Sequence, residues 1–207
     1  MSPSANRNPR VPPEGEIRAI VARVLDGVLT TAADAVATAS APVADPVTRP
    51  VPEGGVRVAV GADHGGYPLK ERLVFRLREA GYDVLDCGTD SPDSTDYPVH
   101  AHAVARAVVG GEATWGIVVD GAGIGSAMVA NKVPGVRAAL CYDISTARNS
   151  REHNHANVLT LGAALVGDGL AWQIVQEWLS VEWGGGRHAR RVAMIDDIEQ
   201  SYLGTEV

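Results

Sequence analysis

A short apolar run that ends in an acid and then in three glycines sets the strongest limit on this fold. Residues 116–132 read Gly-Ile-Val-Val-Asp-Gly-Ala-Gly-Ile-Gly-Ser-Ala-Met-Val-Ala-Asn-Lys. Ile117, Val118 and Val119 suit a strand buried on both faces, as in a parallel sheet. Asp120 stands at its carboxyl end, Gly121, Gly123 and Gly125 make a turn, and 126–132 has helical character. A strand, a glycine-rich turn and a helix N-terminus form a corner that favours anions, because unpaired amides and the helix dipole point out of it. Two readings of Asp120 stay open at this point: a base beside an oxyanion hole, or a cap on a tight βα turn. A lone glycine-rich loop does not separate them.

The flanking sequence repeats the strand-then-helix pattern. Strands are expected over 56–61, 82–85, 116–119, 136–141 and 157–161. Helices are expected over 69–80, 99–109, 124–132, 145–152, 169–181 and 189–202, with polar loops at 62–66 and 86–98. Pro68 sits near the first turn of one helix and Gly81 stops it, while Gly110 and Gly111 end the next. Five strands alternating with helices predict an α/β fold, a Rossmann-like three-layer α/β/α sandwich around a five-stranded parallel sheet. Ligands in such folds bind at the carboxyl ends of the strands.

Before this domain, placed at 56–207, the chain changes character twice. Residues 1–15 are polar and rich in Pro, Asn and Arg, and disorder is expected. Ile17, Ile20, Val21, Val24, Leu25 and Val28 then fall on one helical stripe, so 16–29 reads as an amphipathic helix. A helix this short needs a partner surface. Residues 30–55 are rich in Ala, Thr, Val and Pro and read as an extended linker. A helix tethered so loosely suits docking on another protein, although folding back or pairing within an oligomer would satisfy the same stripe.

Charge and cysteine content narrow the setting. A net charge of −7 argues against nucleic acid as a partner. Two cysteines, Cys87 and Cys141, are too few for a disulfide framework and lack metal-ligand spacing, so a reducing, cytoplasmic compartment is expected. No run is long and apolar enough for a membrane span. Charges at Arg18, Arg23 and Asp26 interrupt what would have to be the core of a signal peptide.

Polar residues gather at the predicted strand ends: Asp63 and His64, Asp96 and Tyr97, Asp120, Tyr142 and Asp143. His153, Asn154 and His155 precede the fifth strand and need a different route into a site there. Arg187, His188, Arg190 and Arg191 form a basic cluster; Arg187 and Arg191 share a helical face that could clamp a phosphate, but without further context a solvated charged face is the favoured reading. His100 and His102 resemble a metal pair, but residues two apart do not share a helix face, and both are read as surface residues.

Taken together, the motifs at 61–70 (Gly-Ala-Asp-His-Gly-Gly-Tyr-Pro-Leu-Lys), 95–98 (Thr-Asp-Tyr-Pro), 121–141, 150–154 (Ser-Arg-Glu-His-Asn) and 185–192 (Gly-Gly-Arg-His-Ala-Arg-Arg-Val) make the domain resemble the ribose-5-phosphate isomerase B family. Subunits of galactose-6-phosphate isomerase and allose-6-phosphate isomerases belong to the same family. The resemblance implies a metal-free aldose–ketose isomerase of a sugar phosphate, with no cofactor, working as a homodimer or tetramer with active sites at the subunit interface. By the same resemblance His153 opens the sugar ring, with His64 nearby. Asp63 and Asn154 bind hydroxyls, and Tyr97 lines the pocket. Amides of Gly121, Ala122, Gly123 and Gly125 hold the enediolate oxygen. Arg187 and Arg191, with His64 and His188, hold the phosphate. The helix at 16–29 resembles the encapsulation peptides that recruit enzymes to bacterial microcompartments, which implies a shell or cargo protein as partner.

The departure from the family lies at the base. One branch has a cysteine before the glycine loop, where this chain has Asp120, and another has a glutamate after it, where this chain has Ser126. Ala122 stands where a hydroxyl residue is common. Asp120 is therefore expected to be the base in place of cysteine, since carboxylates perform enediol chemistry elsewhere. The alternatives are a catalytically silent phosphosugar-binding module and an isomerase for four- or six-carbon sugar phosphates.

Overall fold

Five apolar runs form one parallel sheet: β1 (Arg57–Ala62), β2 (Asp83–Asp86), β3 (Trp115–Asp120), β4 (Ala138–Leu140) and β5 (Val158–Gly162), in the order β2-β1-β3-β5-β4. In this computed structural model the described residues are 56–203 together with Gly15, Arg18, Ala19 and Ala22. The chain divides into two units, Met1–Val47 and Thr48–Val207. Those four early residues are helical and exposed. The expected tail, the apolar stripe and the 30–55 linker lie outside the described residues.

Helices cover both faces of the sheet, which makes the expected three-layer α/β/α fold. Val58, Val60, Ile117, Val119, Leu159 and Leu161 point to one face. They pack with α1 (Tyr67–Glu79), α4 (Ile144–Glu152) and α5 (Asp168–Ser180) through Leu69, Leu73, Leu77, Ala147, Ile174 and Trp178. Ala59, Val118 and Val158 point to the other face, against α2 (Tyr97–Val109) and α3 (Ile124–Ala130). That second core is built of small residues. A Cβ on Gly61 or Gly116 would meet Val104 of α2 at 2.8 or 2.7 Å, so the two glycines let that helix lie close to the sheet. The last helix, α6 (Arg187–Leu203), buries only Val192.

Local chemistry explains most helix ends. Gly81 adopts φ +89°, Gly81 N–H donates to Arg78 O and Tyr82 N–H donates to Leu77 O, which closes α1 in a Schellman-type stop. Asp143 and Thr146 form a reciprocal capping box at the start of α4. Asp143, grouped by sequence with the polar strand ends, is thus a helix cap. Helix α2 begins at Tyr97, two residues before the expected start, because Asp96 is extended and Pro98 occupies the first turn. The fourth strand is shorter than the expected 136–141. It is an edge strand paired only with β5, and Val136 is taken up in a turn to Val133 O.

One buried cation ties β2 to α1. The Lys70 side chain is 1% exposed, and its ammonium donates to both oxygens of Asp86 (2.8 and 2.7 Å) and lies 3.0 Å from Glu71. Burial is the largest influence on Lys70 and lowers its pKa. Hydrogen bonds to Asp86 and Glu71 and their charges outweigh it, so the net direction is upward from 10.5. A raised lysine stabilises the fold below its unfolded pKa and loses that contribution as pH rises through the folded value. Stability is therefore expected to fall above about pH 10.5. Lys70→Met should flatten that alkaline decline, as read by urea unfolding across pH.

Candidate active site

The sheet reverses its winding between β1 and β3, and their carboxyl ends form the crevice where such folds bind ligands. Asp63 follows β1, its amide donates to Val119 O at 3.2 Å, and its Oδ1 accepts from Gly66 N at 2.8 Å. His64 is exposed, and its Nδ1 lies 3.2 and 3.1 Å from the backbone N and O of Thr95. Thr95 Oγ1 also meets His100 Nε2 at 3.0 Å, and His100 Nδ1 lies 3.4 Å from Cys87 O. His100 is thus half-buried and pins the 86–98 loop, which corrects its reading as a surface residue; His102 is exposed as expected. The Tyr97 ring lies over the glycine turn, so close that a Cβ on Gly125 would stand 2.6 Å from it.

Asp120 lies at the centre of this corner and is 5% exposed. Its Oδ1 accepts from the amides of Ala122 (2.8 Å) and Gly123, and its Oδ2 accepts from Ser126 N (3.0 Å) and Ser126 Oγ (2.5 Å). Two of the amides expected to hold an enediolate oxygen, those of Ala122 and Gly123, are therefore turned onto Asp120. The amides of Gly121, Ile124 and Gly125 are not claimed by it. Gly123 takes φ +77°, and a Cβ there would strike Leu140 at 2.5 Å, so the turn needs glycine at this position. Tyr142 Oη donates to Ala122 O at 2.9 Å and braces the same loop.

A second group forms at the other end of the sheet. His153 caps the C-terminus of α4, and its Nδ1 accepts from Asn149 Nδ2 at 2.9 Å, which leaves the proton of the neutral ring on Nε2. The His153 and His188 rings stack at 4.3 Å, and Arg187 Nε donates to His188 Nε2 at 3.3 Å. Gly184 N–H donates to Glu152 O, which draws the glycine hinge against α4. Among the described residues no carboxylate pairs with Arg187, Arg190 or Arg191. The His188 pKa lies below its ordinary value through desolvation and then through His153, Arg187 and Arg191, against the pull of Glu152. Asn154 borders a cavity of about 1040 Å³ shared with β4, α4 and the apolar side of α6 at Ile195, Ile198 and Tyr202. His155 adopts φ +51° and stacks on Trp183 at 4.3 Å.

The core sets the position of this second group. Ser150 and Arg151, just before His153, are buried. Trp178 Nε1 donates to Ser150 Oγ at 3.1 Å, and the Arg151 guanidinium lies 3.8 Å from the Trp115 ring centre. Burial, with Arg137 nearby, lowers Arg151 to about 10. Burial raises both thiols, Cys87 to about 11, so the cysteines are protonated near neutral pH.

The two groups are far apart within one chain. Asp120 pairs with Gly162 at the carboxyl end of β5, whereas His153 stands five residues before Val158 at its amino end. Four strand steps span about 13 Å. One chain thus brings together Asp63, His64, Tyr97, Asp120 and the glycine turn. Separately it brings together His153, Asn154, Arg187, His188 and Arg191. Sequence reasoning assigned no role to Ser126 or Tyr142. The signal for Ser126 is its place in the first helical turn, six residues after the acid that ends β3.

Comparison with known proteins agrees with the fold and motifs. The pattern of the ribose/galactose isomerase family matches residues 58–195. Ribose-5-phosphate isomerase B of Escherichia coli is 46% identical over 144 residues, covering 70% of this chain and 97% of that protein. Its counterpart in Mycobacterium tuberculosis is 37% identical over 150 residues, covering 72% and 93%. The solved structure of Clostridium thermocellum ribose-5-phosphate isomerase B matches with a TM-score of 0.70 at 50% identity, covering 71% of this chain and 99% of that one. By sequence over most of the α/β unit and by architecture, the chain belongs to the ribose/galactose isomerase family.

Proposed function

We propose that the chain interconverts the aldose and ketose forms of a phosphorylated sugar through an enediolate, with ribose 5-phosphate and ribulose 5-phosphate as the default pair. Each active site is assembled from two copies of the chain. The observation that carries this reading is the separation of two complementary half-sites, one holding a carboxylate and amides, the other holding histidines and arginines. Neither half does the chemistry alone. A two-fold pair of chains, in which the carboxyl end of each sheet meets the amino end of the other, completes two sites at once. The cavity beside α6 and its exposed Ile195, Ile198, Tyr202 and Leu203 offer apolar surface for that contact.

In the assembled site, His153 of one copy protonates or deprotonates the ring oxygen, with the tautomer set by Asn149. Asp120 of the other copy moves the proton between C2 and C1. The amides of Gly121, Ile124 and Gly125 receive the enediolate oxygen, Asp63 and Asn154 hold hydroxyls, and Tyr97 walls the pocket. Arg187 and Arg191, which have no carboxylate partner among the described residues and lie beside His188, hold the phosphate, with His64 near it. The reading as a silent phosphosugar-binding module draws on the four donors already spent on Asp120. The amphipathic stretch at 16–29 is proposed to dock on another protein, a microcompartment shell or cargo component. The exposed helical positions Gly15, Arg18, Ala19 and Ala22 fall off its apolar stripe and are compatible with that.

The test is turnover on four-, five- and six-carbon sugar phosphates, followed by mixing of two inactive variants. Asp120→Asn and His153→Gln are each expected to be inactive as pure proteins. Mixed in equal amounts after dissociation and reassociation, they should recover about a quarter of the parent activity, because half of the dimers are mixed and each carries one intact site. No recovery from chains that do reassociate would place both residues in one chain's site. Binding without turnover of any sugar would favour the silent module.

A further inference from the structure

Three of the four donors around the Asp120 carboxylate are backbone amides, those of Ala122, Gly123 and Ser126. The fourth is the Ser126 hydroxyl, 2.5 Å from Oδ2, on a side chain that is 0% exposed. An amide N–H can only donate: it can hold an ionised carboxylate or the carbonyl oxygen of a carboxylic acid, but it cannot accept the acid's O–H. A hydroxyl donates and accepts. Of these four partners, Ser126 Oγ alone can accept the O–H of a protonated Asp120. We infer that Ser126 is a positioning residue for proton transfer: its hydroxyl turns from donor to acceptor when Asp120 takes the substrate proton, and turns back when Asp120 returns it. The inference rests on the proposed role of Asp120 as base.

The step balances without a co-reactant. The C2–H bond of the aldose breaks and its proton goes to Asp120 Oδ2. The bonding pair forms the C1–C2 double bond as the carbonyl pair moves onto O1. Ser126 O–H swings off Oδ2, and Oγ accepts the new carboxylic O–H. A serine on a helix reaches carbonyls three and four residues back, here Gly123 and Ala122, and those can take the displaced hydroxyl hydrogen. In the second half the proton on O2 passes to O1 and C2=O forms. The double-bond pair takes the carboxylic proton at C1, and Ser126 again donates to Oδ2. Because Ser126 is fully buried, no water replaces its hydroxyl when it is removed.

The experiment measures kcat and KM of the full chain for ribose 5-phosphate, or for whichever sugar phosphate of the panel the parent turns over. It compares Ser126→Ala, Ser126→Thr and Asp120→Asn. Ser126→Ala is expected to lower kcat about 100-fold with KM within about threefold of the parent. Ser126→Thr, which keeps the hydroxyl, is expected to return kcat to within about tenfold. If Ser126→Ala does not fold, Ser126→Cys replaces it, with a thiol that donates and accepts weakly and the same expected fall in kcat at steady KM. Parent-like kcat in Ser126→Ala beside an inactive Asp120→Asn would overturn the role of Ser126 and leave Asp120 as base. Equal losses in the Ala and Thr variants would also overturn it, showing that the site reads shape and not the hydroxyl. Parent-like kcat in Asp120→Asn would overturn the base assignment and this inference with it.

Discussion

Asp120→Asn is expected to lower kcat on the sugar phosphate by about 1000-fold while KM stays within a few fold, because general-base transfer contributes about 10² to 10⁴ in rate. The substitution keeps the size and shape of the side chain and replaces one carboxylate oxygen by an amide nitrogen. That nitrogen is a donor and, in either orientation of the side-chain amide, faces at least one backbone N–H donor. One oxygen meets the amides of Ala122 and Gly123, the other meets Ser126 N and Oγ. A buried donor set against donors costs about 1–3 kcal/mol. A loss of that size lowers the midpoint of thermal unfolding by several degrees, about 2–4 °C per kcal/mol in a domain of this size. A melt therefore accompanies the kinetics. A fall of a few degrees with a 1000-fold loss in kcat assigns the chemistry to Asp120. A similar fall with kcat near that of the parent makes Asp120 a turn cap alone, and the proton must then move elsewhere.

Gly66→Ala is expected to destabilise the chain by about 3 kcal/mol or more, measured by urea unfolding and, in the cell, by poor soluble yield. The backbone of Gly66 is ordinary, with φ −85°, so the effect is steric and owes nothing to a special conformation. A Cβ there would stand 2.1 Å from Val119 O and 2.6 Å from its carbonyl carbon. Val119 cannot yield, because it pairs with Ala62 of β1 on one side and Leu161 of β5 on the other. The start of α1 must lift off the sheet instead. Lifting it loosens the packing of Leu69 and Leu73 and parts Gly66 N from Asp63 Oδ1. An alanine variant as stable as the parent would mean that this corner adjusts far more readily than its packing indicates.

Much of the fold was legible because the signals that specify it are local. Apolar runs at 58–60, 117–119 and 158–161 read as buried parallel strands, and each is one. Gly81 stops α1 as its place after the apolar periodicity predicts, since the left-handed conformation there suits a residue without a Cβ. The misplaced boundaries share a cause. Apolar periodicity places Tyr97 and Arg187 before their helices, yet both lie at helix starts, where proline chemistry or a glycine hinge sets the first turn. The 136–141 strand shrank to Ala138–Leu140 because an edge strand pairs on one side only. The sequence does not show that His100 is half-buried, because its partners, Thr95 Oγ1 and Cys87 O, lie on a loop that only the folded chain brings beside it.

The sequence by itself determined the order of strands and helices, the family, and the residue types that a sugar-phosphate isomerase asks for. Hydrophobic periodicity, glycine turns and short motifs act over a few residues and are written out along the chain. Only the tertiary structure decided which residues meet. It placed the Ser126 hydroxyl on Asp120, turned the amides of Ala122 and Gly123 onto that same carboxylate, and put His153 and the arginines at the opposite end of the sheet. Those facts follow from strand order, from the direction in which each strand runs and from the burial of one side chain against another. They depend on contacts between segments distant in sequence, which no local pattern encodes.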